Sequence, residues 1–231
     1  MANLCIIPAR GGSKRIPGKN KKDFLGKPVI AYSIEAALQT ELFDTVMVST
    51  DDEAIAAIAK NYGADVPFIR SEKNANDHAG LADVLMEVLK QYKQTNVVFN
   101  HICCLLPTAP LTTPMRIKEA YNLLIKGNWD SVVPVVQFSY PILRALEYGE
   151  KDQLKMIWPE YLYTRSQDLK SAYHDSGSFY WMKQEAFLIE KRFFCAKGTA
   201  LVVSELEAQD IDTIIDWRIA ELKYQLLNEN R

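Results

Sequence analysis

Long apolar runs are missing from this chain. No stretch approaches the roughly 18–20 consecutive apolar residues that a bilayer-crossing helix needs, so no membrane span is expected. An excess of charge of one sign is missing too. The formal net charge is −2 over 231 residues, which removes the general basic field that would hold DNA, RNA or an anionic membrane. The four cysteines, Cys5, Cys103, Cys104 and Cys195, include no C-x-x-C pair. Three of them lie in apolar runs and read as inert buried thiols of a reduced protein, not as a metal knuckle or a disulfide frame. Histidine is scarce: His78, His101 and His174 are scattered without metal-ligand spacing, and only His174, beside Asp175, invites a weak site reading. The first residues enter a strand at once with no leader-like stretch, and the expected compartment is the cytoplasm.

What is present is ordinary for a folded domain: 48% hydrophobic and 24% charged residues, enough to bury a sizeable core. Short β-branched runs alternate with segments of helical period. Strands are expected at Leu4–Ile7, Val46–Val48, Ile102–Leu106 and Ser131–Val136. Helices are expected from Pro28, over Glu53–Tyr62 with Thr50-Asp51-Asp52 as cap, along Leu81–Tyr92 and over Met115–Ile125. The order βαβαβαβ predicts an α/β fold with a doubly wound, mostly parallel, Rossmann-like sheet. Between about 137 and 172 the pattern breaks into a stretch rich in Tyr, Trp and Pro, read as an inserted excursion from the main sheet, either a small subdomain or a dimer arm, within one domain spanning 1–231. Strands resume at Ser178–Trp181 and Ala200–Val203. The last helix, Ile214 to Leu227, carries the stripe Ile215, Ile219, Leu222 and Leu226.

Charge is unevenly placed. Arg10, Lys14, Arg15, Lys19, Lys21, Lys22 and Lys27 crowd one segment, against the single acid Asp23. That local cationic loop follows the first strand, the place where open α/β sheets bind ligands. Gly11 and Gly12 allow backbone N–H groups close to phosphate oxygens. The loop is not a Walker A motif: five residues separate Gly12 from Gly18, and Lys19 is followed by Asn20 where Ser or Thr is needed. Near the other end, Asp210 and Asp212 stand at i and i+2, so in extended backbone both carboxylates face one side. Oxygen-only ligands suit Mg²⁺ (or Mn²⁺); the competing reading makes Asp212 the cap of the last helix.

The stretch Ile7-Pro8-Ala9-Arg10-Gly11-Gly12-Ser13-Lys14-Arg15-Ile16-Pro17-Gly18-Lys19-Asn20 resembles the N-terminal signature of the CMP-acylneuraminate (CMP-sialic acid) synthetase family, and the resemblance runs from about residue 3 to 215. It implies a nucleotidyltransferase fold in which Arg10, Ser13, Lys19 and Asn20 surround CTP, with Arg10 and Lys19 on its phosphates. It implies a metal on the acid-x-acid pair Asp210 and Asp212, and a homodimer built through the excursion. The segment Leu106-Pro107-Thr108-Ala109-Pro110 is similar to the family's P-T-[SA]-P sugar-site segment, with Leu106 where sialic acid enzymes carry Gln. The segments Tyr140–Leu146 and Tyr173–Trp181 look like the pseudaminic acid branch. Sugar contacts are accordingly expected at Leu106, Thr108, Arg144, Asp175 and Phe179.

The expected reaction is in-line attack by the anomeric hydroxyl of a nine-carbon acidic sugar on the α-phosphate of CTP, with release of pyrophosphate. The base is either Asp210 or a metal-held hydroxide. Leu106, with Phe138, Tyr140 and Phe179, would favour a sugar ending in a deoxy methyl group, as in pseudaminic acid, over one ending in a glycerol hydroxyl. The alternatives are CMP-N-acetylneuraminate or CMP-legionaminate synthesis, another sugar nucleotidyltransferase, and a non-catalytic nucleotide-binding regulator on the same fold.

Overall fold

Apolar runs become strands, and the segments of helical period become the helices that cover them. The structure is a computed structural model describing residues 2–76, 79–149 and 153–229; His78 lies outside the described residues. The chain runs β1 (Asn3–Pro8), a tiny hairpin of β2 (Asp23–Phe24) and β3 (Lys27–Pro28), α1 (Val29–Leu38), β4 (Thr45–Ser49), α2 (Glu53–Asn61), α3 (Glu72–Ala75) and α4 (Leu81–Gln94). It continues through β5 (His101–Leu105), α5 (Pro114–Lys126), β6 (Ser131–Gln137), β7 (Leu146–Tyr148), β8 (Leu154–Met156) and β9 (Tyr173–Asp175). The last elements are β10 (Phe179–Lys183), α6 (Gln184–Glu190), β11 (Gly198–Val202) and α7 (Ile214–Asn228). The starts follow local chemistry. Asp52 caps α2 by accepting from Ala54 N and Ile55 N, Thr113 caps α5 just before Pro114, and Thr213 and Asp216 form a reciprocal box at the start of α7.

The central sheet has the order β11-β6-β10-β5-β1-β4, with β9 also paired to β6. β4, β1 and β5 are parallel, as are β6 and β11. β10 runs against both β5 and β6, and β9 against β6. The sheet is therefore mostly parallel, as expected, but the strand following the excursion enters it reversed. Alternation along β10 divides the core. Phe179 and Trp181 join the layer under α1, α2 and α5, whereas Tyr180 and Met182 join the layer under α4 and α6. Each fully buried aliphatic or aromatic side chain here adds about 1.5–3 kcal/mol.

Three features were not evident from the sequence. The short helix α6, with its single buried Phe187, has too few turns to show a period. The stripe Ile215, Ile219, Leu222 and Leu226 does not face the core: those residues are exposed, and α7 packs through Trp217, Ala220 and Tyr224 onto Phe24 and Tyr32. The excursion is not wholly irregular, since β7 and β8 pair as an antiparallel hairpin flanked by single helical turns. All four cysteines are buried free thiols.

Candidate active site

A small third core brings the basic loop and the acidic pair together. Ile16 of the loop and Ile211, which sits between the two aspartates, are both buried in a cluster with Phe24, Tyr32 and Trp217. Because Ile211 points inward, its neighbours Asp210 and Asp212 point outward, as period-two backbone requires. Lys19 Nζ donates to Ile211 O at 2.7 Å and lies 4.0 Å from Asp212 Oδ1, while Arg15 Nη1 is 2.5 Å from Asp212 Oδ2. The helix cap is Thr213, which leaves the Asp212 carboxylate to these cations.

Burial, partly offset by Asp212 and Asp210, holds the Lys19 ammonium below its ordinary pKa. Burial, reinforced by the charge of Asp212, raises the Asp210 carboxyl. Two carboxylates in such a setting repel, and a divalent cation would relieve that repulsion. Among the described residues no third His, Cys, Asp or Glu joins them in a metal-sized group. The pair therefore fits a cation that completes its shell with phosphate oxygens and water, the habit of Mg²⁺.

The loop itself is braced by side chains. Gly11 N donates to Asp51 Oδ1 at 2.9 Å, Lys21 Nζ reaches Asp52 Oδ2 at 3.1 Å, and buried Asn20 donates to Arg10 O at 2.9 Å. Thr50-Asp51-Asp52 is thus both helix cap and loop brace. A Cβ on Gly11 would stand 2.9 Å from Asp52 Cβ and Oδ2, whereas one on Gly12 would meet open space. Only Gly11 is required by packing. Ser13 N closes a tight turn onto Gly11 O, and Arg10 Nη1 contacts Asn76 O at 3.3 Å.

The sequence reading missed Arg70. Its guanidinium is buried, donating from Nε to Ser49 Oγ at 3.1 Å and from Nη2 to Ser49 O. Burial pulls its pKa down, with the charge of Asp51 opposing and that of Arg10 adding. It is a further cation, near enough to Arg10 to feel its charge, and a lone Arg in a loop distant in sequence carries no local signal.

On the far side of Asp210, a cleft of about 400 Å³ is bordered by Phe138, His174, Asp175, Glu205 and Lys223. Asp175 is fixed from two sides: Gly177 N donates to its Oδ1 at 2.9 Å and Tyr180 Oη to its Oδ2 at 2.5 Å. Burial and that bond push the Tyr180 phenol up. Lys223 Nζ ties down the segment before Asp210 through Glu205 O at 2.9 Å and Ala208 O at 2.8 Å.

Of the expected sugar contacts, Asp175 alone borders this cleft among the described residues. Phe179 is 1% exposed and belongs to the core, so it presents no surface to a ligand. Leu106 is half-buried between the two main core layers, its backbone tied to Ser178 O and Ser33 Oγ. Thr108 sits half-buried in the turn after β5, and Arg144 in a helical turn of the excursion; neither borders this cleft. Phe138 borders the cleft against His174, while Tyr140 stands exposed.

Comparison with known proteins identifies the family and the fold. A family profile described as cytidylyltransferase matches residues 4–216. The chain is 42% identical, over all of its length and 99% of the relative's, to a pseudaminic acid cytidylyltransferase of Campylobacter jejuni subsp. jejuni serotype O:2. It is 35% identical, over 99% of both chains, to a CMP-N,N'-diacetyllegionaminic acid synthase of Legionella pneumophila subsp. pneumophila. A solved CMP:2-keto-3-deoxy-manno-octonic acid synthetase complexed with CTP superposes with a TM-score of 0.71 at 18% identity, covering 99% of this chain and 100% of that one, which shows the shared fold. The chain belongs to the cytidylyltransferase family and is a nucleotidyltransferase.

Proposed function

We propose that the chain transfers CMP from CTP to the anomeric hydroxyl of a nine-carbon acidic sugar, that pseudaminic acid is the sugar, and that pyrophosphate is the second product. The observation that carries this reading is the meeting of Lys19 and Arg15 with the Asp210–Asp212 segment, which sets phosphate-binding charge against cation-binding charge at the strand ends. In the proposed step the hydroxyl oxygen bonds to the α-phosphorus as the bond to the bridging oxygen of pyrophosphate breaks, and the hydroxyl proton passes to a base. Asp210, which borders the cleft, would take it through the carboxylate oxygen not given to a cation. Arg10 and Lys19 hold the triphosphate, with Arg70 near Arg10. Each well-placed cation in such a site is worth about 3 kcal/mol in the transition state.

Asp210 and Asp212 would hold Mg²⁺ or Mn²⁺, which would neutralise phosphate charge when bound. The excursion at 137–172 would join two copies as a homodimer, and the enzyme would work in the cytoplasm; among the described residues no helix is long and apolar enough to cross a membrane. The choice of pseudaminic acid draws on the Campylobacter relative and on Phe138 beside the cleft. Phe179, buried in the core, does not support it. Legionaminic acid is the second reading, supported by the Legionella relative.

Pyrophosphate release with CTP, measured against pseudaminic, legionaminic and N-acetylneuraminic acids, is the deciding assay. The expected result is a preference of tenfold or more in kcat/KM for pseudaminic acid. An equal or reversed order removes the sugar assignment, and no release with any of the three removes the transferase reading.

A further inference from the structure

α7 is apolar on two opposite faces, and only one is used within the chain. Trp217, Ala220 and Tyr224 pack inward. Ile215, Ile219, Leu222 and Leu226 point outward, with 66%, 37%, 60% and 50% of their surface exposed. A single exposed aliphatic needs no explanation, but these four form one row. The steps along it are four, three and four residues, the alternation of a helix–helix seam with a period of about 3.5 residues. The inner residues Trp217 and Tyr224 occupy the position opposite that seam, so the helix lies on its own protein with the seam facing away.

We propose that this row is the contact surface for α7 of a second copy of the chain, the two helices running antiparallel about a two-fold axis. Flanking charge fixes the orientation. Asp216 and Lys223 border one side of the seam, and Arg218 and Gln225 the other. Parallel pairing would set Arg218 of each copy against Lys223 of the other, two like-charge contacts. Antiparallel pairing sets Asp216 against Lys223 twice and Arg218 against the neutral Gln225 twice. Asp216 and Lys223 already make bonds within the chain, but a carboxylate has a second oxygen and an ammonium three N–H groups. In this register Ile215 faces Leu226 and Ile219 faces Leu222. The contact is isologous and closes at two copies. It is also separate from the excursion at 137–172, so a chain using both surfaces assembles in fours.

Light scattering on the full chain at tens of micromolar tests the surface. Leu222→Lys should halve the wild-type mass while the far-ultraviolet dichroism stays the same, because position 222 is exposed. A wild-type mass of 26.3 kDa, or a mass unchanged by the substitution, overturns the proposal; a pair held only by the excursion would give the latter. Oxidation tests orientation, since the native thiols are buried. Ile215→Cys combined with Leu226→Cys should give a covalent pair. Ile215→Cys alone should not, because like ends would lie about 16 Å apart along an antiparallel pair. Cross-linking by the single variant overturns the antiparallel arrangement, and cross-linking by neither overturns the contact.

Discussion

The loop after β1 and the excursion after β6 both fall outside the central sheet, yet they are held by different means. The loop is anchored by buried Ile16 and Asn20, by carboxylates on Asp51 and Asp52, and by Lys19 reaching the Ile211 backbone. The excursion leaves Leu146, Tyr148, Leu154 and Tyr163 open, Tyr163 at 94% exposure. It is tied to β6 mainly through its ends, Phe138 N to Ala172 O and Gln137 to Ser171. A segment that must place charge to within a fraction of an ångström is over-determined by contacts from several elements. The exposed apolar surface of the excursion is what the proposed homodimer would cover.

The largest effect expected from this contrast lies on the acidic side of the site. Asp210→Asn and Asp212→Asn should each lower kcat/KM about a thousandfold, or about 4 kcal/mol, with folding intact; near-normal turnover of Asp212→Asn in Mg²⁺ would remove the metal assignment. Asp210→Asn should also raise Tm at pH 7. A carboxyl whose folded pKa is raised supports folding below its ordinary value and loses that support as pH rises through the folded value, so at neutral pH its charge opposes folding. The Tm gap between variant and wild type should close on acidification, and a gap that persists in acid would assign the effect elsewhere.

Phe179→Ala separates core from site. It should cost about 3–5 kcal/mol of stability by calorimetry, while the KM for sugar, measured well below melting, stays unchanged; a selective rise in that KM would restore Phe179 to the ligand. In the loop, Arg10→Ala and Lys19→Ala should each lower kcat/KM about a hundredfold, roughly 3 kcal/mol, and Arg10→Lys should also be impaired because a guanidinium fork is lost. Losses below threefold in both alanine variants would return the loop to a solvated surface. The smallest effect belongs to the excursion. Tyr163→Ser should shift stability by less than about 0.5 kcal/mol, with any change confined to light-scattering mass; a large drop in Tm would show the excursion to be part of the domain core.

Much of the fold was legible because buried parallel strands and amphipathic helices write their periods locally. β1, β4, β5 and β6 appear within a residue or two of their expected bounds. Strand direction is not written there, so nothing in Phe179–Lys183 reveals that β10 runs backwards. The stripe on α7 is legible as a row, but the direction it faces is not, because Trp217 and Tyr224 supply the inner contacts at a different phase. In the site, the glycine-rich basic loop and the acid-x-acid pair could be found because each is contiguous. Arg70, Lys223 and the Asp175–Tyr180 bond could not, since each depends on chain segments that meet only after folding. Of the expected sugar contacts Phe179 was the least legible: in a strand, one position of shift exchanges Phe179 in one core layer for Tyr180 in the opposite one.

The buried sulfurs give the molecule an internal clock. Cys5 and Cys103 are register partners on adjacent strands β1 and β5, with Cys104 beside them, and burial raises the Cys103 and Cys104 thiols. A thiolate is the reactive form, so an alkylating reagent meets neither surface nor charge while the sheet is closed. Modification of these two sulfurs then reports the opening of the central strands themselves, and its rate in the presence and absence of CTP would measure how far nucleotide binding at the loop slows the unzipping of the sheet behind it.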